Sequence, residues 1–215
     1  MRFGAQGESV CIAARNPGSL NETVHRLKDT GHDVFGIPAD VADPQQAESM
    51  VRQAARLMGR LDVLVNNAGV ATLKPLPEVT ADDWAACVGI NLSAVVYTTR
   101  AVWSIMKEQG GGVIINISSV AAKDPFPGFA HYGAAKAAVN LFSQAAAREG
   151  QGDNIRVYAL GPGAVDTPML RGVFPDFPKE DALEPKDVAE VAVQLAASGA
   201  RYLSGQIVYV TRKVP

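Results

Sequence analysis

The feature that most constrains this 215-residue chain is a regular alternation of short β-branched apolar runs with longer amphipathic ones. The short runs lie at 9–14, 33–38, 61–66, 112–117, 154–160 and 206–210, and their apolar residues are continuous rather than spaced every second position. Continuous apolarity at strand length reads as strands covered on both faces, the state of a parallel sheet. Between them, residues 20–30, 44–58, 82–107, 131–149 and 185–197 read as helices. This alternation predicts a doubly wound α/β fold, a parallel sheet with helices on both faces. The length suits one domain, 1–215. Helix starts are marked chemically: Asp43 stands before Pro44, and Thr80 with Asp83 three residues on has the form of a capping box.

Composition narrows the function classes. Hydrophobic residues make up 47% and charged residues 20%, a balance that can bury a core without disulfides or metals. The net charge of −2, with scattered Lys and Arg, lacks the basic excess of a nucleic-acid binder. Cys11 and Cys87 sit in apolar surroundings, and His25, His32 and His131 are far apart, so no metal site is expected. No apolar run without charges reaches membrane-spanning length, and the first residues lack the apolar core of a signal peptide. A cytoplasmic protein that binds neither membrane nor nucleic acid is expected. The strand–helix rhythm breaks at 161–185, where Pro162, Pro168, Pro175, Pro178 and Pro185 exclude one regular helix. Residues 164–185, with Met169, Phe174 and Phe177, are expected to form a substrate-binding loop for a hydrophobic or acyl-chain substrate.

One cluster carries chemistry. Tyr132 and Lys136 are four apart in a helical segment and so share a face, and Ser119 ends a strand thirteen residues before Tyr132. A free phenol is a poor proton exchanger at neutral pH, and a nearby ammonium is expected to lower its pKa into a useful range. Ser119 can then hydrogen-bond the reacting oxygen. Asn66-Asn67-Ala68-Gly69 follows a strand at the end where ligands bind in such sheets, with small residues that admit close approach. Asn91 lies within an apolar helical stretch, either as a structural cap for a helix bend or as part of a proton relay.

Together with Pro162-Gly163, Thr167 and Leu203-Ser204-Gly205-Gln206, these residues resemble the short-chain dehydrogenase/reductase family, in the family's order over nearly the whole chain. The resemblance implies a Rossmann-like fold and reversible hydride transfer between a ketone and a secondary alcohol, an oxoacyl thioester being one possible substrate. It implies Tyr132 as catalytic acid/base, Ser119 as the group orienting the substrate oxygen, Lys136 on the nicotinamide ribose, and Asn91 in a water-linked relay. Cofactor contacts are implied at Asp40, Val41, Asn67, Ala68, Gly69, Pro162, Gly163 and Thr167. At the end of the run 9–14 stands Arg15 with no acid beside it, which favours NADP(H) over NAD(H). A homodimer or homotetramer joined through the helices 82–107 and 131–149 is also implied.

Two departures matter. The family opens with a strand, a Thr-Gly-x-x-x-Gly-x-Gly turn and a helix; here Gly4 and Gly7 precede a strand instead of following one. An N-terminally truncated fold follows as an expectation, lacking a central strand and its phosphate turn. Tyr209-Val210-Thr211-Arg212 stands where the family often shows Asp-Gly-Gly. Against the enzyme reading stands a noncatalytic remnant serving as an interaction or structural module.

Overall fold

The computed structural model describes residues 2–212. Its strands are β1 (Val10–Ala14), β2 (Val34–Pro38), β3 (Val63–Asn66), β4 (Gly112–Ile117), β5 (Ile155–Pro162) and β6 (Ile207–Val210). The helices are α1 (Pro17–Asp29), α2 (Pro44–Met58), α3 (Ala81–Val88), α4 (Ala94–Glu108), α5 (Ala130–Gly150), α6 (Pro168–Val173) and α7 (Pro185–Ala196). The expected caps form: Asp43 accepts from the Gln45 and Gln46 amides ahead of Pro44, and Thr80 and Asp83 close a reciprocal capping box. Within 164–185 the chain is not all loop. Thr167 caps the short α6 and Pro168 takes its first position, where a missing amide costs nothing.

All strands pair in parallel, as the continuous apolar runs predict. Alternation along β4 shows why both faces are apolar. Ile114 joins Val102, Met106 and Val157 under α2, α4 and α5, while Val113 and Ile115 join Tyr158, Leu160 and Leu195 under α7. The stretch Ala81–Glu108 is long and apolar enough to cross a membrane, with a mean hydropathy of 1.3 over its best window. In this fold α4 packs instead on α2 and on the β3–β5 strands.

The described strands form two sheets. One sheet has the order β2-β1, the other β3-β4-β5-β6. The first strand of the fold is β1, where the sequence places one, and no described strand pairs with both β1 and β3. Their remaining edges are unpaired by strands, and their side chains are half-exposed, Val65 being 36% exposed, whereas Ile114, Ile115 and Val157 are fully buried. Two links span the division. Helix α2 contacts β1 and β2 while packing along α4, and residues 2–6 reach from the His32 ring, against Gly4, to α7 through the Arg2–Glu190 ion pair (3.2 Å) and Phe3. The turn Gly4–Gln6 precedes β1, so Gly4 and Gly7 form no strand-to-helix phosphate turn.

Candidate active site

Strand β4 delivers Ser119 and helix α5 delivers Tyr132 and Lys136. Ser119 caps the short turn Val120–Ala122, accepting from the Ala121 amide at 3.2 Å, which fixes its backbone just beyond the strand. Its hydroxyl lies near enough to the Tyr132 phenol to pull the phenol's pKa down. One turn along α5, Lys136 is 4% exposed and donates from Nζ to the Ile117 carbonyl at 2.7 Å. The three residues singled out by spacing therefore meet at one place.

Their electrostatics differ from the sequence-based expectation. Burial pushes the Tyr132 phenol up, against the downward pull of the nearby Ser119 hydroxyl. The same cause acts oppositely on the lysine: burial lowers Lys136 to about 8. The ammonium is turned to a backbone carbonyl and lies 5.8 Å from the centre of the phenol ring. So Tyr132 is held as a neutral phenol, a proton donor, and not as a partly formed phenolate.

Asn91 is neither a simple cap nor a stray polar residue. It is fully buried inside one wide π turn, Gly89–Ser93, joining α3 to α4. The wide turn frees the Cys87 carbonyl, which accepts from Asn91 Nδ2 at 3.0 Å. The same amide pairs with Val70 on both sides, donating to its carbonyl (2.9 Å) and accepting from its N–H (3.3 Å). Asn91 thus fastens the loop after β3 to the helix. Gly69 occupies the space between: a Cβ there would lie 3.0 Å from Asn91 Oδ1 and 3.7 Å from Lys136 Nζ. Cys87 Sγ, 3.5 Å from Asn91 Nδ2, completes this cluster, and burial raises its thiol.

The other expected contacts lie at carboxyl ends of strands. Asn67 and Ala68 are exposed beyond β3, and Arg15 is exposed beyond β1. Asp40, beyond β2, accepts from the Ala42 amide at 3.0 Å and so shapes the turn that carries Val41. Pro162 ends β5, and Gly163 donates to Val210 at 2.8 Å. Thr167 is committed to its helix, donating to the Val165 carbonyl and capping Leu170. Beside Tyr132 an apolar groove of about 670 Å³ is lined by Leu73, Pro75, Leu76, Pro125, Phe126, Pro127, Gly128 and Ala130. Phe129 links groove to phenol, edge-on to Tyr132 at 5.4 Å and stacked near Phe174 of the 164–185 segment at 6.1 Å.

Sequence reasoning missed a polar ladder beneath the site. The Thr98 hydroxyl donates to Asn66 Oδ1 (2.7 Å), Asn66 Nδ2 to Asn116 Oδ1 (2.8 Å), and Asn116 Nδ2 to Ser143 Oγ (2.9 Å). It ties α4, β3, β4 and α5 together behind the reacting groups. Asn116, a polar residue amid Val113–Ile117, was the available signal.

A sequence profile described as short chain dehydrogenase matches residues 1–177. The chain is 33% identical over 215 residues to the 3-oxoacyl-[acyl-carrier-protein] reductase FabG of Thermotoga maritima, spanning 96% of this chain and 87% of that one. Among solved structures it superimposes on a gluconate 5-dehydrogenase from Burkholderia cenocepacia in complex with NADP and tartrate, with a TM-score of 0.91 and 27% identity, covering 98% and 86% of the two chains. It also superimposes on a 7α-hydroxysteroid dehydrogenase complexed with NADH and 7-oxo glycochenodeoxycholic acid, with a TM-score of 0.89 and 28% identity, covering 95% and 83%. With its serine, tyrosine and lysine gathered on β4 and α5, this chain belongs to the short chain dehydrogenase family of oxidoreductases.

Proposed function

We propose that the protein interconverts an apolar ketone and its secondary alcohol with NADP(H), in the cytoplasm, as a homodimer or homotetramer. The observation that carries the reaction is the meeting of Ser119, Tyr132 and the buried Lys136 at one place. The residues fit the nicotinamide half of a dinucleotide. Gly69 keeps the space against Lys136 open, and two of the three Lys136 ammonium hydrogens have no protein partner among the described residues. When bound, the nicotinamide supplies or takes hydride. Ser119 holds the substrate oxygen, the neutral Tyr132 phenol gives it a proton in the reducing direction, and Lys136 orients the ribose. Asn91, fixed by Val70 and Cys87, holds the relay side of the cluster in place.

The phosphate half does not fit. None of the strand-to-helix turns among the described residues is glycine-rich, so no row of backbone amides is aimed at a pyrophosphate. Arg15 beyond β1, with no acid beside it, supports NADP(H) through a 2′-phosphate. The apolar groove and the Phe126–Phe129–Phe174 cluster support a hydrophobic substrate under the 164–185 segment, with an oxoacyl thioester as the acyl-chain version. Leu141, 70% exposed on α5, supports self-association through that helix. Two free thiols fit a reducing compartment.

The test is Tyr132→Phe, assayed with millimolar NADPH and a panel of cyclic and acyl ketones. Turnover should fall by roughly 10²- to 10⁴-fold, the worth of a placed general acid, with the circular dichroism spectrum unchanged. Activity retained in that variant refutes the assignment.

A further inference from the structure

The groove beside Tyr132 has two walls, residues 72–76 after β3 and residues 125–130 before α5. They are stitched together by bonds the reaction does not use. The Lys74 amide donates to the Gly128 carbonyl at 3.0 Å. Gly128 has φ +87°, and a Cβ there would lie 2.5 Å from Leu73 Cδ1, so the walls meet where only glycine fits. Beside this contact, Thr72 Oγ1 and His131 Nε2 lie 3.0 Å apart. His131 is 2% exposed and its Nδ1 has no partner among the described residues. An apolar side chain would fill this position without leaving a buried nitrogen unpaired. The distinctive contribution of His131 is therefore its bond to Thr72. It directly precedes Tyr132 on α5, so that bond references the wall to the helix presenting the phenol. At the outer end, Lys74 Nζ is paired to Asp83 of the α3 capping box at 2.5 Å.

Resting on the reading of this groove as the substrate site, we propose that His131 is a positioning residue. Through Thr72 it sets the separation of the groove walls and makes the protein select bulky, rigid apolar ketones. A fused-ring ketone spans both walls, so its binding depends on their spacing. A small ketone reaches only Ser119 and Tyr132 and is indifferent to it.

Three variants of the full chain test this: His131→Leu, which fills the space without the bond; Thr72→Val, which removes the hydroxyl at an exposed position; and His131→Gln, whose amide can reach Thr72. Amide hydrogen exchange is read at Lys74 and at Val70, whose N–H is held separately by Asn91. Exchange at Lys74 should rise about tenfold in His131→Leu and Thr72→Val, the worth of one net hydrogen bond, and return in His131→Gln, with Val70 unchanged. A general loss of stability would raise both. In parallel, KM for trans-1-decalone should rise about tenfold in the first two variants with kcat within about twofold, and KM for cyclopentanone should stay unchanged. Unchanged exchange at Lys74, or equal KM changes for the two ketones, overturns the proposal. If the wild type reduces neither ketone, the functional reading fails on its own, and Lys74 exchange still decides the clamp. Should His131→Leu not fold, Thr72→Val carries both readouts.

Discussion

The two sheets of this molecule are built from the same parallel pairing, yet they stand in different physical states. In the four-stranded sheet, β4 and β5 are sealed on both faces, and a chain of side-chain hydrogen bonds from Thr98 to Ser143 crosses it behind the reacting residues. In the two-stranded sheet, β1 is half-exposed and α1 covers only part of it. The proton-handling groups sit on α5 and the end of β4, against the sealed sheet; Arg15 and Asp40, the expected adenosine contacts, lie beyond the strands of the open one. The reacting groups and the expected adenosine contacts therefore stand on parts of unequal burial. A site assembled this way holds its acid, its lysine and Asn91 on the sealed part of the molecule.

The largest expected effect concerns the hold on a dinucleotide. Each charge-assisted hydrogen bond missing at the pyrophosphate is worth roughly 1.5–3 kcal/mol, so calorimetric titration of the 215-residue chain with NADPH should give a Kd about three orders of magnitude or more above micromolar. Micromolar binding would break the comparison, because the two sheets would then already form one competent site. Native-state hydrogen exchange sharpens it: amides of β1 and β2 should exchange on the order of 10³-fold faster than those of β4 and β5. Uniform protection would show a single cooperative unit.

Lys136 tests how sealed the larger sheet is. Its pKa falls from its ordinary 10.5 to about 8 on folding, so the folded state disfavours its charge. Stability should be highest above the unfolded value, decline as pH falls from about 10.5 to about 8, and level off below, a change of about 3 kcal/mol. Urea titrations of Lys136→Met should show that slope removed. Asn116→Leu gives the smaller effect. It leaves half-buried Asn66 Nδ2 without its partner and takes from Ser143 Oγ one of its two bonds, the one to Val139 remaining, and should cost about 2 kcal/mol at any pH between 6 and 8. A neutral result there would mean that the ladder contributes order but no stability.

What the sequence disclosed follows from the range of each signal. Caps at Asp43 and Thr80, the continuous Val and Ile of the strands, and the Tyr132–Lys136 spacing are local patterns, and each is found in place. The Asn66–Asn116 and Thr72–His131 bonds join residues 50 and 59 positions apart, and no local rule marks such partners. Tyr132 misled differently. Spacing placed Lys136 beside it, but the direction of both pKa shifts is set by burial, which only the packed structure reveals.

The wide turn at Gly89–Ser93 has a consequence for how this site tolerates change. An α-helix rotates by about 100° per residue, so one residue more or less redirects every side chain beyond it. Asn91 faces Val70 because the helix carries extra backbone at this point, and no single side chain encodes that surplus. Removing any one residue from 89–93 would yield a more regular and locally more stable rod while turning the amide away from the loop it fastens. Insertions and deletions here, more than substitutions, are the changes by which such a protein would lose its reaction while keeping its fold.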